Sequence, residues 1–225
     1  MEDVDPAWLE PTWFLDAESV EIEAYASAAV GAATDPTEMA IKLFYAVRDG
    51  LRYDPYGTDR SPESYKSSAI SQADTAWCVP KSVLLTAAAR NCGIPARLGF
   101  ADVKNHLTSE KLQASMGTDV FAWHGYSELL LDGRWFKLST AFNIELCQKF
   151  GTRALEFDGT DDALMHPFDE SGNRHMEYVK QRGTFDDLPL NAIFASFAEM
   201  YPSMGFEGAG AAAAGDEAFS PADSS

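Results

Sequence analysis

One segment of the chain repeats its apolar residues at the three- and four-residue spacing of a helix. The residues that would form its buried face are Met39, Leu43, Phe44 and Val47. Asp35 is a good helix cap, Pro36 suits the first helical position, and Gly50 follows the last apolar residue. The pattern predicts an amphipathic helix that begins at Pro36 and ends near Gly50.

A β-hairpin is predicted where Asp132-Gly133 separates two apolar runs, because this dipeptide is a strong hairpin-turn signal. We expect its strands over residues 121–131 and 134–143. A two-residue turn pairs Leu131 with Arg134 and so fixes the register of the two strands. Weaker patterns predict a strand over residues 96–101, helices over 18–33, 146–150 and 189–201, and a short helix or strand over 175–181.

Cys78 stands at the start of another helical run, which Pro80 opens and Gly93 ends. The first N–H groups of a helix are unpaired and the helix dipole is positive there, so a thiol at this position gains thiolate character. We therefore expect Cys78 to be a nucleophile with a lowered pKa. The alternative is that Cys78 is a small buried hydrophobic residue, which is how we interpret Cys92 and Cys147.

His124 lies on the first hairpin strand and is the candidate base for Cys78. In the predicted register, Ser139 and Asn143 lie diagonally opposite it on the same face. We favour Asn143 as the residue that orients the imidazole, because a neutral amide can fix the ring of a cysteine enzyme. Ser139 and a group from the C-terminal third of the chain are the alternatives.

Further residues are candidates for binding the substrate. The backbone N–H of Cys78 is a natural donor to the oxyanion of an acyl-transfer reaction. Trp77 and Trp123 each precede one of the two reactive residues, where they would shield the pair from water or simply pack in the core. His106 follows the strand predicted over residues 96–101 and would line the same cleft.

Five short motifs also occur in a fixed order along the chain. They are Leu51-Arg52-Tyr53, Trp77-Cys78, Gly93-Ile94-Pro95-Ala96-Arg97, Ala122-Trp123-His124 and a strand tryptophan, Trp135. In this order they resemble the transglutaminase-like superfamily of papain-type cysteine enzymes, over about residues 36–143. The resemblance implies an α+β papain-like core, in which the nucleophile helix packs on a small antiparallel sheet beside a helical N-terminal layer.

The resemblance also implies a Cys-His-acid mechanism. Related enzymes usually place an Asp four residues after the strand tryptophan, where this chain has Ser139. Gln72 lies six residues before Cys78, a spacing seen in papain-like enzymes, and is therefore a candidate second oxyanion donor. The expected function is a cysteine-dependent acyl-transfer enzyme that hydrolyses an amide or peptide bond through a thioester. The alternatives are an amide-forming or crosslinking acyltransferase of the transglutaminase type and a catalytically degenerate binding module.

The net charge of −18 is concentrated at the two ends of the chain. Residues 1–38 hold ten acidic residues and no Lys or Arg, and residues 207–225 hold four acidic residues and no base. Residues 39–206 hold 21 acidic residues against 17 bases, a net charge of −4. A nucleic-acid interface is disfavoured because it needs clustered Lys and Arg. We expect a peptide, a protein or a small amide as the substrate.

We expect an N-terminal arm and helix over residues 1–34, a catalytic domain over 35–206, and a flexible acidic Gly/Ala-rich tail over 207–225. The absence of an 18-residue apolar run disfavours a membrane protein. Three cysteines without metal-ligand spacing predict neither a zinc site nor a disulfide framework, and they favour a reducing cytoplasm. No metal or cofactor is implied, because the thiol supplies the nucleophile. The oligomeric state is left open.

Overall fold

The computed structural model describes residues 4–57, 59–105, 114, 116–164 and 176–206. Helices α1 to α4 span Val20–Val30, Pro36–Gly50, Ser67–Ile70 and Cys78–Asn91, and α5 and α6 span Ile144–Phe150 and Leu190–Met200. Strands β1 and β2, Arg52–Tyr53 and Thr75–Ala76, form a small parallel pair. Strands β3 to β6 span Ala96–Asn105, Val120–Leu131, Arg134–Leu138 and Met176–Phe185. They form an antiparallel sheet in the order β5-β4-β3-β6.

Helix α4 is the centre of the molecule. Its side chains are buried from Cys78 through Arg90, because α1, α2 and α3 pack on it from one side and β3 and β4 from the other. An Ala- and Leu-rich sequence permits this close approach on every side. Polar groups in the interface are paired, since the Thr86 hydroxyl donates to Ser127 Oγ and Ser127 Oγ donates to the Ser82 carbonyl. The α+β architecture with a nucleophile helix packed on an antiparallel sheet is confirmed.

Helix α2 follows the prediction at both ends. It begins at Pro36 and ends at Gly50, and the Asp35 carboxylate accepts a hydrogen bond from the Glu38 N–H at 2.9 Å. This bond satisfies one of the N–H groups that have no partner inside the helix. The apolar face predicted from helical spacing lies in the core through Leu43, Phe44 and Val47. Local sequence thus predicts both ends of this helix.

The hairpin has the predicted register but a shorter second strand. Leu131 pairs with Arg134 and Ser127 pairs with Leu138, as a two-residue turn requires. The expectation that this strand continues to residue 143 is wrong, because β5 ends at Leu138. There the Ser139 N–H donates to the carbonyl of Ala163, at 2.8 Å, and Leu138 forms a parallel bridge to the same residue. The chain therefore leaves the ladder just before the residues expected to orient His124.

The C-terminal part of the described chain covers the far edge of the sheet. Strand β6 pairs with β3 over its whole length, so the segment expected to begin near residue 175 is a strand. It is followed by α6 and a 3-10 turn at Pro202–Met204. The predicted N-terminal arm packs on the opposite edge, where the rings of Trp8 and Trp135 meet at 4.9 Å. The tail expected over residues 207–225 lies outside the described residues.

Candidate active site

The Cys78 side chain projects from the first residue of α4, as expected. The N-cap residue of α4 is Trp77, whose extended backbone connects β2 to the helix. Backbone N–H groups at this end of a helix have no partners within the helix, so they are free to stabilise a negative charge near the thiol. The sequence therefore places the thiol where an oxyanion formed by its attack would meet N–H donors.

Gly125, the residue after His124, allows β4 to pack against the start of α4. A Cβ at Gly125 would lie 2.7 Å from Ser82 Oγ and 3.1 Å from Val79 Cα. The first distance is shorter than real Cβ atoms show and the second is tighter than most, so glycine is the residue that lets β4 touch the first turn of α4 without displacement. The N–H groups of Gly125, Val79 and Cys78 itself all stabilise the thiolate form of Cys78. Glycine at this position is thus a requirement of the site's geometry.

Burial opposes ionisation of both reactive groups. It raises the pKa of the Cys78 thiol to about 11, despite the N–H groups that favour the thiolate. Burial also lowers the pKa of His124 to about 4. The expectation of a lowered thiol pKa is therefore wrong for the free protein, since loss of hydration outweighs the helix dipole and the N–H donors. At neutral pH the resting pair is a neutral thiol and a neutral imidazole.

A β-bulge sets the direction from which His124 enters the site. The pairing of β3 with β4 shifts between Ala101 and Val103, so β4 carries one additional residue opposite Asp102. Trp123, in this bulge, has a φ of 57°, a left-handed conformation that costs a non-glycine residue about 1–2 kcal/mol. Asp102 stabilises it, because its carboxylate accepts the Trp123 N–H at 3.0 Å.

Asp102 and Arg182 are residues that reasoning from sequence missed. The Arg182 guanidinium donates to both oxygens of the Asp102 carboxylate, at 2.9 and 2.8 Å. The Asp102 side chain is 8% exposed, so its charge needs this pairing. The signal that could have found it is an Asp at the end of the apolar strand that begins at Ala96, since a buried charge requires a partner. The pair holds the bulge before His124.

Ser139, and not Asn143, lies beside the imidazole. Ser139 Oγ is 3.4 Å from His124 Nε2. The amide of Asn143 is engaged elsewhere, because its oxygen accepts the Tyr53 N–H at 3.1 Å and its NH2 group donates to Glu145 at 2.6 Å. Asn143 is the N-cap residue of α5, a role that follows from the early end of β5. The expectation that Asn143 contacts the imidazole is therefore wrong, and Ser139 lies at that position instead.

Cys78 and His124 line one cavity of about 680 Å³, its open mouth included. Trp77 lines the same cavity and packs on Phe197, with ring centroids 5.8 Å apart. Trp123 does not line it. Its ring packs against Phe100 and Phe185, at 5.4 and 5.9 Å, so the expected substrate contact is wrong for this residue.

Gln72 is also absent from the cavity wall. Its side chain is solvent-exposed and its amide donates to the hydroxyl of Ser71, so the expected role as an oxyanion donor is not supported by its position. The donors near the thiol are the backbone groups of Cys78, Val79 and Gly125 instead. His106 lies outside the described residues.

Within the described ranges, no group of three or more His, Cys, Asp or Glu side chains is arranged to hold a metal ion. In the same part of the chain, no helix combines the length and apolar character needed to cross a bilayer.

A thiol at a helix start and a strand imidazole in one cavity are the arrangement of papain-type cysteine enzymes. The family model of the transglutaminase-like superfamily matches residues 23–140, and the chain belongs to that superfamily. The match covers α2, α4 and the whole hairpin, which together carry Cys78 and His124. It ends before β6 and α6. No curated protein matches the sequence.

A solved structure has a similar fold. It is described as a "putative cysteine protease" from Cytophaga hutchinsonii and superposes with a TM-score of 0.52 at 13% sequence identity. The superposition covers 86% of this chain and 50% of the other, so the chain spans about half the length of that protein. The likeness extends beyond the residues of the family match and supports the assignment of the fold.

Proposed function

We propose that the protein is a cysteine hydrolase that cleaves an amide bond through a thioester on Cys78. The observation that carries the proposal is that Cys78 and His124 line one buried cavity while Ser139 engages Nε2 of the imidazole. If Ser139 accepts the Nε2 proton, Nδ1 keeps its lone pair and is the nitrogen that takes the thiol proton. A neutral thiol and a neutral imidazole are the forms that this step requires.

The reaction then proceeds in two balanced stages. As Cys78 Sγ attacks the amide carbon, its proton passes to His124, and the tetrahedral oxyanion is stabilised by backbone N–H groups at the start of α4. Collapse breaks the C–N bond, and the proton on His124 goes to the leaving amine. His124 next takes a proton from water, whose oxygen attacks the thioester, and returns it to the thiolate as the carboxylic acid leaves.

Water is favoured over an amine as the acyl acceptor because of the cavity's lining. Among the described residues that line it, none is an Asp or Glu that would pair with an incoming ammonium group. Binding a charged amine there would cost hydration without a compensating partner. Hydrolysis therefore needs no group beyond those already named, whereas crosslinking would need an acceptor site.

A trapping experiment tests the proposal. The protein is mixed with p-nitrophenyl acetate, quenched in acid, digested and analysed by mass spectrometry for acetylated cysteines. We expect the acetyl group on Cys78 before the other thiols, its disappearance with time, and acetate as the product even with added butylamine. The Cys92→Ser variant is the matched control and should behave as wild type. Equal acetylation of Cys78, Cys92 and Cys147 would favour a binding module, and N-butylacetamide would favour a transferase.

A further inference from the structure

We infer that the acyl part of the substrate is uncharged and apolar, with the size of one aromatic or short aliphatic side chain. The inference rests on the proposed function, because it assigns the cavity beside Cys78 to the group whose carbonyl is attacked. It names a substrate class, which the family match and the fold comparison leave open.

The described part of the cavity wall offers no partner to a charged acyl group. Among its described lining residues, no side chain is an Asp, Glu, Lys or Arg. The wall is instead built from aromatic rings and thioethers, including Trp77, Phe121, Met176, Phe197, Met204 and Phe206. A carboxylate or ammonium group moved into such surroundings loses its hydration and gains no partner, at a cost of several kcal/mol. An apolar group gains about 25 cal/mol for each Å² removed from water.

The C-terminal segment supplies one side of this wall. Phe206 packs against Phe197, with ring centroids 5.1 Å apart, and stacks on Phe194 at 6.0 Å. Phe197 in turn contacts Trp77, the residue next to the nucleophile. These phenylalanines lie beyond residue 140, where the family match ends. This side of the wall therefore lies outside the matched core, where substrate preference can differ among relatives.

The hydroxyl of Tyr201 fixes this wall in place. It donates to the carbonyl of Val120 at 2.9 Å and accepts the Ala122 N–H at 2.6 Å. Both groups lie on β4 beside the bulge that positions His124. The same tyrosine lines the cavity. One side chain thus joins the C-terminal side of the wall to β4 by two hydrogen bonds. This connection holds the cavity's shape before a substrate enters.

The size of the cavity limits the group it accepts. About 80 Å³ of the cavity can be reached by the centre of a water molecule, a space that suits one ring or a short chain rather than a large ligand. Met176 and Met204 are flexible and polarisable, so they can adjust to rings or to unbranched chains. The substrate class is therefore an amide of an aromatic or aliphatic acid, either as a small molecule or as the residue whose carbonyl is attacked in a peptide.

Binding to the Cys78→Ala variant tests this inference without any thiol chemistry. Hexanamide, 3-phenylpropanamide and adipamate, which matches hexanamide in chain length but ends in a carboxylate, are titrated at pH 7 and followed by protein NMR. We expect both neutral amides to bind at least tenfold more tightly than adipamate. Equal or tighter binding of adipamate would overturn the inference, as would the absence of saturable binding of both neutral amides.

Two substitutions locate the preference. Phe197→Ala should weaken hexanamide binding at least fivefold, whereas Phe150→Ala, an exposed phenylalanine outside the cavity wall, should leave it unchanged. Met204→Lys, at a half-buried lining position, should reverse the order of hexanamide and adipamate and stays informative if Phe197→Ala does not fold. An unchanged order in folded Met204→Lys would contradict the inference.

The two proposals can fail separately. A preference for neutral amides together with no acetylation of Cys78 would refute the hydrolase and leave the apolar site standing. Acetylation of Cys78 together with a preference for adipamate would refute the apolar site and leave the hydrolase standing.

Discussion

Helix α4 carries two kinds of buried polar side chain, and the contrast between them separates structural groups from candidate functional ones. Lys81 is fully buried, yet its ammonium donates to the carbonyls of Arg48 and Leu51 at 2.8 and 2.7 Å. Cys78, one helical turn away, is buried among apolar groups and shares its cavity with His124. Burial shifts the pKa of Lys81, Cys78 and His124, and it lowers that of Lys81 to about 7.

Lys81 and His124 differ in what their contacts achieve. Lys81 uses its hydrogen bonds to satisfy carbonyls at the C-terminal end of α2, which would otherwise lack donors. Among the described residues, His124 makes a long contact to Ser139 and a ring contact to Tyr178, and it lines the cavity that also contains Cys78. A buried titratable group is thus a candidate for catalysis when its partners leave one atom directed at a cavity.

The largest effect is expected from His124→Ala, which removes the base and leaves Lys81 untouched. Acetylation of Cys78 should fall about 10³-fold, within the range of general-base catalysis. The rate is measured by mass spectrometry of the acetylated peptide under single-turnover conditions. A far-ultraviolet circular dichroism spectrum like that of wild type controls for folding. A rate within tenfold of wild type would show that another group accepts the thiol proton.

Lys81→Met tests the structural side of the comparison. Two buried carbonyls lose their donors, so the free energy of unfolding should fall by about 2–4 kcal/mol. Lys149→Met, at an exposed position on α5, should change it by no more than about 0.5 kcal/mol. Urea denaturation of both variants measures the difference. Equal stability of the two variants would mean that Lys81 is not needed to hold the end of α2.

A smaller effect separates Ser139 from Asn143. Ser139→Ala should slow acetylation of Cys78 about tenfold, which corresponds to roughly 1.4 kcal/mol, because the ring loses the contact at Nε2. Asn143→Ala should change that rate less than about threefold and instead lower stability by about 1 kcal/mol, since it removes the acceptor of the Tyr53 N–H. Acetylation rates and urea midpoints are compared for both variants. The reverse result would restore Asn143 as the orienting residue.

The smallest change is expected with pH. Because burial lowers the pKa of His124 to about 4 and raises that of Cys78 to about 11, base and nucleophile keep their required forms between these values. We expect kcat/KM for an uncharged amide to vary less than about threefold from pH 6 to 9. It should fall only as pH drops toward 4 and His124 is protonated. A decline already at pH 6.5 would indicate a solvated imidazole.

The sequence was sufficient wherever neighbouring residues alone determine structure. The cap and turn of α2 and the Asp132-Gly133 register depend on contacts within a few residues, and both were predicted correctly. The end of β5 was not, because Ala163 takes over the hydrogen bonds from a distant part of the chain. The preference for Asn143 over Ser139 assumed that this strand continues to residue 143. The same distant contact therefore explains why Asn143 does not lie beside His124.

The candidate site also combines features set by neighbouring residues with features set by distant parts of the chain. The positions of Cys78 at a helix start and of His124 on a strand were predicted correctly, because both are visible in local sequence. The direction of the thiol pKa was wrong, since the helix dipole is a local effect, whereas burial by surrounding elements can be read only from the packed structure. Asp102 and Arg182 are 80 residues apart, and their pairing depends on β6 lying beside β3.

Arg90, near the far end of α4, links both ends of the chain to its centre. Its guanidinium donates to the carbonyls of Glu10 in the N-terminal arm, Ala96 in β3, and Asp186 just before α6. A second bond, from the Thr12 hydroxyl to Asp187, joins the arm to the same segment. In terms of local unfolding, we expect the arm and α6 to open together. Amide hydrogen exchange in α6 should therefore accelerate when the arm detaches, and clipping of the arm by a protease should have the same effect.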